Sequence, residues 1–325
     1  MEKIEGRLVK IRNGIFYAGW FLIFMAFLFY FPACGERIPG DEQERILNLS
    51  EGDGISRQDL SDASSSTTST SSTTSTTSVA EVFLTGLNYP AALTFDDSAN
   101  LYIANRGQKN ILKVDSTRNV RLFATPGENF DVSFNSTFGI FAGTDTGVKA
   151  YNLSGTLLSV ATGTMSNYVG PAFHSDNKVF MASKEDSSGR VFQVSNFSFN
   201  EFVNGSSAGV SNIMDIICDS SNNLYVTSGS SIHKITASGS ISLLVSSLYS
   251  PRQMAFYNGY IYVAEKDGGR ISRINPATKA QLVLHSGIDS PAGLAIGSGY
   301  LYWSTDLQTG AVVGRAMLSA LEGGQ

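Results

Sequence analysis

The amino-acid sequence predicts an all-β protein, a six-bladed β-propeller with four-stranded blades, preceded by a signal peptide and a disordered Ser/Thr-rich tether. Glycine (32 residues) far outnumbers proline (8), which is typical of a chain with many tight turns. A four-residue pattern, aliphatic, aromatic, hydrophobic and small, also recurs from residue 101 onward at a nearly constant spacing. Repeats of this length are the mark of propeller blades, so the two observations together predict the fold class.

The repeated pattern predicts one strand in each of six units. Its copies start at Leu101, Ile140, Val179, Leu224, Ile261 and Leu301, so successive starts lie 39, 39, 45, 37 and 40 residues apart. The copy at 140–143 is the weakest. An inner strand precedes the pattern, as in 89–95, 250–256 and 290–296, and an alternating third strand follows it, as in 111–114, 191–194, 232–235 and 271–274. Fourth strands are predicted at 120–123 and 241–245.

The sixth unit has no segment for a fourth strand, because only a polar tail follows residues 310–318. The segment EVFL (81–84) precedes the first inner strand and belongs to no other unit. We therefore expect residues 81–84 to complete the sixth blade, so that the two ends of the domain close the ring and leave no exposed sheet edge.

The first 33 residues have the order of a secretory signal, with basic residues up to Arg12 and then an uncharged apolar run. Ala33-Cys34 resembles a bacterial lipobox, which implies cleavage before Cys34 and lipidation of its thiol; Phe31 stands where that motif usually has Leu. The alternative is an uncleaved signal anchor, since about 20 apolar residues suffice to cross a bilayer. Both interpretations place the remaining chain outside the cytoplasmic membrane, periplasmic or surface-exposed in the cell envelope.

Residues 34–79 are predicted to be a disordered tether between the signal peptide (1–33) and the propeller (80–325). Fifteen consecutive Ser or Thr residues (64–78) bury nothing that would offset their ordering entropy. The net charge of −5 and the lack of a Lys/Arg cluster argue against a nucleic-acid partner. Two cysteines provide no disulfide framework.

The segment YPAALTFDDSANLYIANRGQKNILKVD (89–115) resembles an NHL repeat, and the last unit, LYWSTDLQTGAVVGRAML (301–318), is similar to a YWTD repeat. The resemblance covers residues 81–318 and extends to the propellers of gluconolactonases and streptogramin lyase. It implies a six-bladed fold that hosts binding, scaffolding or catalysis. The lactonase-like families imply a divalent metal held by carboxylate and Asn ligands, and the lyase implies catalytic histidine and glutamate.

Equivalent positions on the six inner strands predict a ring of side chains around the central tunnel. The members of this tunnel ring are Ala92, Asp131, Gly170, Asp215, Gln253 and Gly293. Asp131, Asp215 and Gln253 are the candidates for holding Ca²⁺ or another divalent cation, because such ions prefer oxygen ligands. The alternative is that these side chains are polar because water fills the tunnel.

Asn105, Glu265 and Asp306 follow pattern strands and are candidate site residues at one rim of the propeller, with solvated turns as the alternative explanation. The histidines give little support for catalysis. His233 is expected to face outward from a third strand, His285 to lie near the rim, and His174 alone to lie close to an inner strand.

The sequence therefore favours a lipid-anchored module that binds a protein, peptide or glycan and has no strong requirement for a metal, with Ca²⁺ or another divalent cation in the tunnel as the one candidate cofactor. The alternative is a metal-dependent lactonase or lyase with its site in the tunnel. Metal dependence separates the two hypotheses.

Overall fold

A computed structural model describes residues 80–323, which form six four-stranded antiparallel sheets arranged as the blades of a propeller. The fold class predicted from the sequence is confirmed. The signal peptide, Cys34 and the tether lie outside the described residues. Within residues 80–323, no helix is long and apolar enough to cross a membrane.

In each of the first five blades the chain runs outward from the tunnel through four consecutive strands. Blade I comprises β2 (Pro90–Phe95), β3 (Leu101–Asn105), β4 (Asn110–Val114) and β5 (Val120–Ala124). Blade II comprises β6 (Asn129–Asn135), β7 (Gly139–Thr144), β8 (Gly147–Tyr151) and β9 (Leu157–Thr162). Blade III comprises β10 (Tyr168–Phe173), β11 (Val179–Ser183), β12 (Val191–Ser195) and β13 (Ser198–Val203).

The remaining blades complete the ring. Blade IV comprises β14 (Asp215–Cys218), β15 (Leu224–Ser228), β16 (Ser231–Ile235) and β17 (Ile241–Val245). Blade V comprises β18 (Pro251–Tyr257), β19 (Tyr260–Glu265), β20 (Arg270–Ile274) and β21 (Gln281–Ser286). Blade VI comprises β22 (Pro291–Gly297), β23 (Tyr300–Thr305), β24 (Ala311–Met317) and β1 (Glu81–Leu87).

The pattern strands are the most buried part of every blade. Every residue of β3, β7 and β15 is buried, because a second strand has another strand on each side and a neighbouring blade on each face. The aromatic position packs between blades, where Tyr102, Phe180 and Tyr225 are almost fully buried. Burial of an aromatic and an aliphatic residue in each repeat supplies the core, which explains why the pattern recurs.

The ring closes through β1, as the sequence predicts. β1 pairs antiparallel with β24, with Leu84 opposite Val313 and Leu87 opposite Ala311. The Phe83 ring meets Tyr302 edge-on at a centroid distance of 5.1 Å. The N-terminal strand thus covers the otherwise open edge of blade VI.

The expectation of a polar tail after residue 318 is wrong. Residues Leu318–Gly323 form a short helix, α1, which buries Leu318 and Leu321 in the cluster shared by blades V and VI. Glu322 accepts hydrogen bonds from Tyr262 Oη (2.5 Å) and Arg273 Nη1 (2.8 Å). Leu318 and Leu321 are three residues apart, which places both on one face of a helix.

Candidate functional site

The inner strands of the six blades line a central tunnel with two different mouths. Their carboxyl ends surround a cavity of about 540 Å³, here called the wide mouth, whose wall contains Thr94, Ser133, Ala172, Ala255 and Ala295. Their amino ends and the residues after the second strands surround the narrow mouth, where the cavities measure about 20 and 40 Å³. The tunnel ring lies between the two.

Asp131 and Asp215 are brought together in the tunnel ring and are both buried. Asp131 accepts hydrogen bonds from the backbone N–H of Gly170 (2.9 Å) and of Val132 (2.7 Å). Asp215 accepts one from the backbone N–H of Met254 (2.6 Å). Gly170 lies on the inner strand of blade III and Met254 on the inner strand of blade V, so each carboxyl group connects its own blade to the next one.

The two carboxyl groups also hydrogen-bond to each other, and their raised pKa values favour one proton shared between them. Burial raises the pKa of Asp131 to about 6, against the lowering effects of its backbone hydrogen bonds and the Lys184 charge. Burial, and next the charge of Asp131, raises the pKa of Asp215 well above the usual carboxyl range. Two desolvated carboxylates side by side repel, so Asp215 keeps the proton and donates to Asp131.

Gln253 joins three blades in the same ring. Its Oε1 accepts from the backbone N–H groups of Leu93 (2.8 Å) and Leu294 (2.7 Å), and its Nε2 donates to the Leu93 carbonyl (3.0 Å). One amide therefore ties blade V to blades I and VI. All three of these hydrogen bonds join the Gln253 side chain to the backbone of other blades.

The glycines of the ring leave room for these contacts. Gly170 has φ +94°, and a Cβ there would lie 2.8 Å from Ile216 Cγ2. A Cβ on Gly293 would lie 2.5 Å from Ser304 Oγ, the hydroxyl that accepts the Gly293 N–H and donates to the Pro90 carbonyl. Small residues in the ring thus permit close approach of backbone, a role for which sequence reasoning had no signal.

The donor set of the tunnel ring does not fit Ca²⁺. That ion takes six to eight oxygen ligands, whereas the Asp131, Asp215 and Gln253 oxygens already accept backbone N–H groups or a shared proton. Within the described part of the chain, no group of three or more His, Cys, Asp or Glu residues is arranged to hold a metal.

Two of the three rim candidates, Asn105 and Glu265, hold loops. Asn105, fully buried, accepts from the Asn88 N–H (2.8 Å) and donates to Gln108 Oε1 (2.8 Å). Glu265, equally buried, accepts from the Tyr249 N–H (2.9 Å) and from Arg270.

Asn105 and Glu265 occupy equivalent positions, because each pairs with the proline that starts its blade's inner strand, Pro90 or Pro251. Each fixes the loop that enters that strand. Solvated turns, the alternative considered from the sequence, do not describe these two residues, since both side chains are buried and hydrogen-bonded.

Asp306 is the rim candidate that belongs to the tunnel. It accepts from Arg106 Nη2 (3.1 Å) and Lys266 Nζ (2.6 Å) at the narrow mouth. Burial alone would raise the pKa of Asp306, but the hydrogen bond and charge of Lys266 with the charge of Arg106 lower it overall, so the carboxylate is ionised.

None of the histidines contributes to the tunnel. The expectation that His233 faces outward is wrong, because its side chain is 6% exposed and bonds the backbone of Ala208. His285 packs on Trp303 with ring centroids 4.9 Å apart. His174 is buried against Phe180 at 4.2 Å, and burial lowers its pKa.

Sequence reasoning missed the cations of the narrow mouth, Lys184 and Arg252. Both line its two small cavities, together with Asp131 and Asp215 on one side and Arg106 and Asp306 on the other. A signal existed for Lys184, because the residue after the second strand is charged in every blade except blade IV. Those residues are Arg106, Asp145, Lys184, Lys266 and Asp306.

No protein-family model matches the chain, and no curated protein matches it. Among solved structures, a streptogramin B lyase superposes with a TM-score of 0.56 at 15% identity, covering 73% of this chain and 97% of its own. A gluconolactonase from Xanthomonas campestris gives 0.60 at 8%, covering 73% and 89%. An auxiliary nutrient binding protein from Bacteroides thetaiotaomicron gives 0.60 at 11%, covering 71% and 69%. Likenesses at such low identity show the propeller fold, and they include both enzymes and a binding protein.

Proposed function

We propose that this chain is a lipid-anchored β-propeller of the bacterial cell envelope, periplasmic or surface-exposed, that acts as a rigid binding or scaffold module. Its partner is a protein, a peptide or a glycan. The order of basic residues, apolar run and Ala33-Cys34 supports the anchor. The closed ring of six blades supports the module, because a propeller presents two rigid faces around its tunnel.

The observation that carries the proposal is how the polar side chains of the tunnel ring are used. A catalytic or metal-binding carboxylate keeps lone pairs for its ligand. Asp131, Asp215 and Gln253 instead direct theirs at backbone N–H groups of adjoining blades or at each other. The ring is therefore assigned to holding the blades together.

The wide mouth is the proposed ligand site. Its cavity of about 540 Å³ lies within the roughly 300–1,000 Å³ that small-ligand pockets occupy. Its wall includes small side chains such as Ala172, Ala255 and Ala295 beside aromatic ones such as Phe134 and Phe256, and its volume admits a sugar residue or a peptide side chain.

Blocking the wide mouth tests this proposal. Glycan and peptide arrays probed with the full chain in detergent should give ligands that Ala255→Trp no longer binds, because an indole fills the cavity. Ala237→Trp, on an exposed turn of blade IV, is the matched control and should bind like wild type. Equal binding by both variants would place the ligand elsewhere and remove the wide mouth from the proposal.

The alternative is a metal-dependent lactonase or lyase with its site in the tunnel. The raised pKa values of Asp131 and Asp215 favour it, because perturbed carboxyl groups beside a cavity are common in active sites. The same two groups connect blades, and structural networks perturb pKa values as well. This is why the binding module is preferred.

The anchor has its own test. Cys34→Ser should block signal processing and palmitate labelling, so that the variant keeps residues 1–33 while wild type loses them. If both proteins keep these residues and have the same mass, the uncleaved signal anchor replaces the lipid in the proposal.

A further inference from the structure

Four cationic side chains from three blades surround the narrow mouth, and they fall into two kinds. Arg106 and Lys266 both pair with Asp306, at 3.1 and 2.6 Å. Lys184 and Arg252 have no carboxylate within 4.0 Å among the described residues. The two unpaired cations come from different blades and line the same two cavities.

Lys184 and Arg252 contact an aromatic ring and a thioether sulfur where an anion would bind them more strongly. The Lys184 ammonium lies 4.8 Å from the centre of the Phe130 ring. Arg252 Nη1 lies 3.8 Å from the Met214 sulfur, and its buried Nε has no hydrogen-bond partner among the described protein atoms. Thioether sulfur and an aromatic face are weak acceptors compared with an oxygen anion.

Leaving two half-buried cations without an ion-pair partner costs stability, because only carboxylates beyond 4.0 Å, such as Asp131 and Asp306, offset their desolvation and mutual repulsion. Burial lowers the pKa of Lys184 to about 8; the nearby charges of Arg106 and Arg252 also lower it, while Asp131 and Asp306 oppose. Burial likewise lowers the pKa of Arg252. A bound anion would relieve all of these costs together.

We propose that Lys184 and Arg252 form a binding site for the carboxylate group of a small ligand at the narrow mouth of the tunnel. The site is distinct from the wide mouth and stands whether or not the wide mouth binds its own ligand.

The space favours a carboxylate over a larger oxyanion. The cavity that Arg106, Lys184 and Arg252 line with Asp306 measures about 40 Å³. Since a cavity of roughly 10–15 Å³ holds one water, this one has room for about three heavy atoms. Asp306 lines the same space and is ionised, so it repels a dianion more than a monoanion. The planar guanidinium of Arg252 matches the two oxygens of a carboxylate.

A ligand carboxylate has two sources here, a uronic acid or the end of a peptide, and the experiment has an arm for each. The full chain in detergent is titrated calorimetrically at low ionic strength with acetate, with D-galacturonate against D-galactose, and with N-acetylglycylglycine against its C-terminal amide. We expect saturable binding of acetate and of at least one larger carboxylate, and no binding of the neutral counterparts.

The variants Lys184→Met and Arg252→Met should each weaken carboxylate binding about tenfold or more, since a charge-assisted hydrogen bond is lost. Lys109→Met is the matched control, because Lys109 is exposed and pairs with Glu128 at 2.8 Å; its binding should equal that of wild type. Arg252→Lys keeps the charge, and its carboxylate affinity should lie between that of wild type and that of Arg252→Met. Absence of saturable binding to about 50 mM, or equal binding by all variants, would overturn the site.

Two further readouts separate a binding role from a structural one. Without ligand, Lys184→Met should melt at or above the wild-type temperature, because an unpaired cation is removed. A lower melting temperature would overturn the proposal. The charged groups that face Lys184 are Asp131, Asp306, Arg106 and Arg252, and its pKa in their presence is about 8. Carboxylate affinity should therefore fall as the pH rises through about 8, where Lys184 loses its proton. This pH dependence should vanish in Lys184→Met. A dependence that persists in the variant would contradict the assignment.

Discussion

The tunnel ring and the narrow mouth lie next to each other and are both polar, but their side chains are used in opposite ways. Asp131 and Gln253 in the ring direct their oxygens at backbone N–H groups of other blades. Lys184 and Arg252 at the mouth have no carboxylate partner among the described residues. A polar residue in a propeller tunnel is therefore not by itself a sign of function. What distinguishes the two sets is whether the protein itself satisfies the side chain.

The largest expected effect comes from removing β1, the strand that closes the ring of six blades. A chain that starts at Ala91 lacks the strand that covers β24 and buries Leu87. We expect its melting temperature to fall by at least about 10 °C relative to a chain that starts at Val79, since several kcal/mol are lost at roughly 2–4 °C per kcal/mol. Equal melting temperatures would show that ring closure does not depend on β1.

Substitution in the ring and at the mouth should have opposite consequences for stability. Asp131→Ala leaves the N–H groups of Gly170 and Val132 unpaired in a buried place, so we expect a loss of about 2–4 kcal/mol in the free energy of unfolding. Lys184→Met is the paired substitution at the mouth and should cost nothing. Urea unfolding of both variants measures the two changes in the free energy of unfolding. Similar losses in Asp131→Ala and Lys184→Met would contradict the difference proposed between the ring and the mouth.

The shared proton gives the ring a pH dependence. The pKa values of Asp131 and Asp215 are raised in the folded state, so the contribution of the pair to stability is complete below pH about 4. The part that comes from Asp131 is lost as the pH rises through about 6, the pKa of that group, and the part that comes from Asp215 is lost as the pH rises through its own raised pKa. In Asp215→Asn the amide donates to Asp131 at every pH. We therefore expect the urea midpoint of this variant, measured relative to that of wild type, to rise between pH 5 and pH 8. A constant difference between the two midpoints would exclude the shared proton.

The smallest effect comes from the turn after the inner strand, where blade III differs from blades I and IV. Asp96 in blade I accepts from the N–H groups of Ser98 (3.0 Å) and Asn100 (2.9 Å) and from Tyr102 Oη (3.0 Å). Asp219 in blade IV accepts from the equivalent groups, the N–H groups of Ser221 and Asn223 and the hydroxyl of Tyr225.

His174 and Phe180 occupy these two positions in blade III, and His174 Nε2 has no hydrogen-bond partner among the described protein atoms. The double substitution His174→Asp with Phe180→Tyr should recreate the turn and raise the free energy of unfolding by about 0.5–1.5 kcal/mol. Asp219→His with Tyr225→Phe is the reciprocal control and should lower it. A lower free energy of unfolding in the His174→Asp, Phe180→Tyr variant would mean that His174 has a role beyond the turn.

Much of the fold followed from the sequence because each blade repeats the same burial. The Leu-Tyr-Ile-Ala strand at 101–104 must bury both faces, and this requirement recurs in every repeat. The same repetition predicted a ring with Asp131, Asp215 and Gln253, and these three residues line one small cavity in the structure. Their hydrogen-bond partners were out of reach, since Gly170 is 39 residues from Asp131 and Leu93 is 160 from Gln253.

Two errors have local causes. His233 alternates with Ile232 on a third strand, and alternation predicts an exposed face only where no loop covers it; here the loop with Ala208 does. The segment after residue 318 is predicted to be a polar tail, but Leu318 and Leu321 carry the helical spacing.

The central claim, that the tunnel ring holds blades and no metal, is tested most directly by the effect of Ca²⁺ on thermal unfolding of wild type and Asp215→Asn. A cation bound only to the folded state would raise the melting temperature. We predict that millimolar Ca²⁺ leaves both melting temperatures unchanged and that neither protein hydrolyses simple lactones. A Ca²⁺-dependent rise in wild type that is absent in Asp215→Asn, together with lactone hydrolysis that needs the same metal, would contradict the account and establish the tunnel as a catalytic metal site.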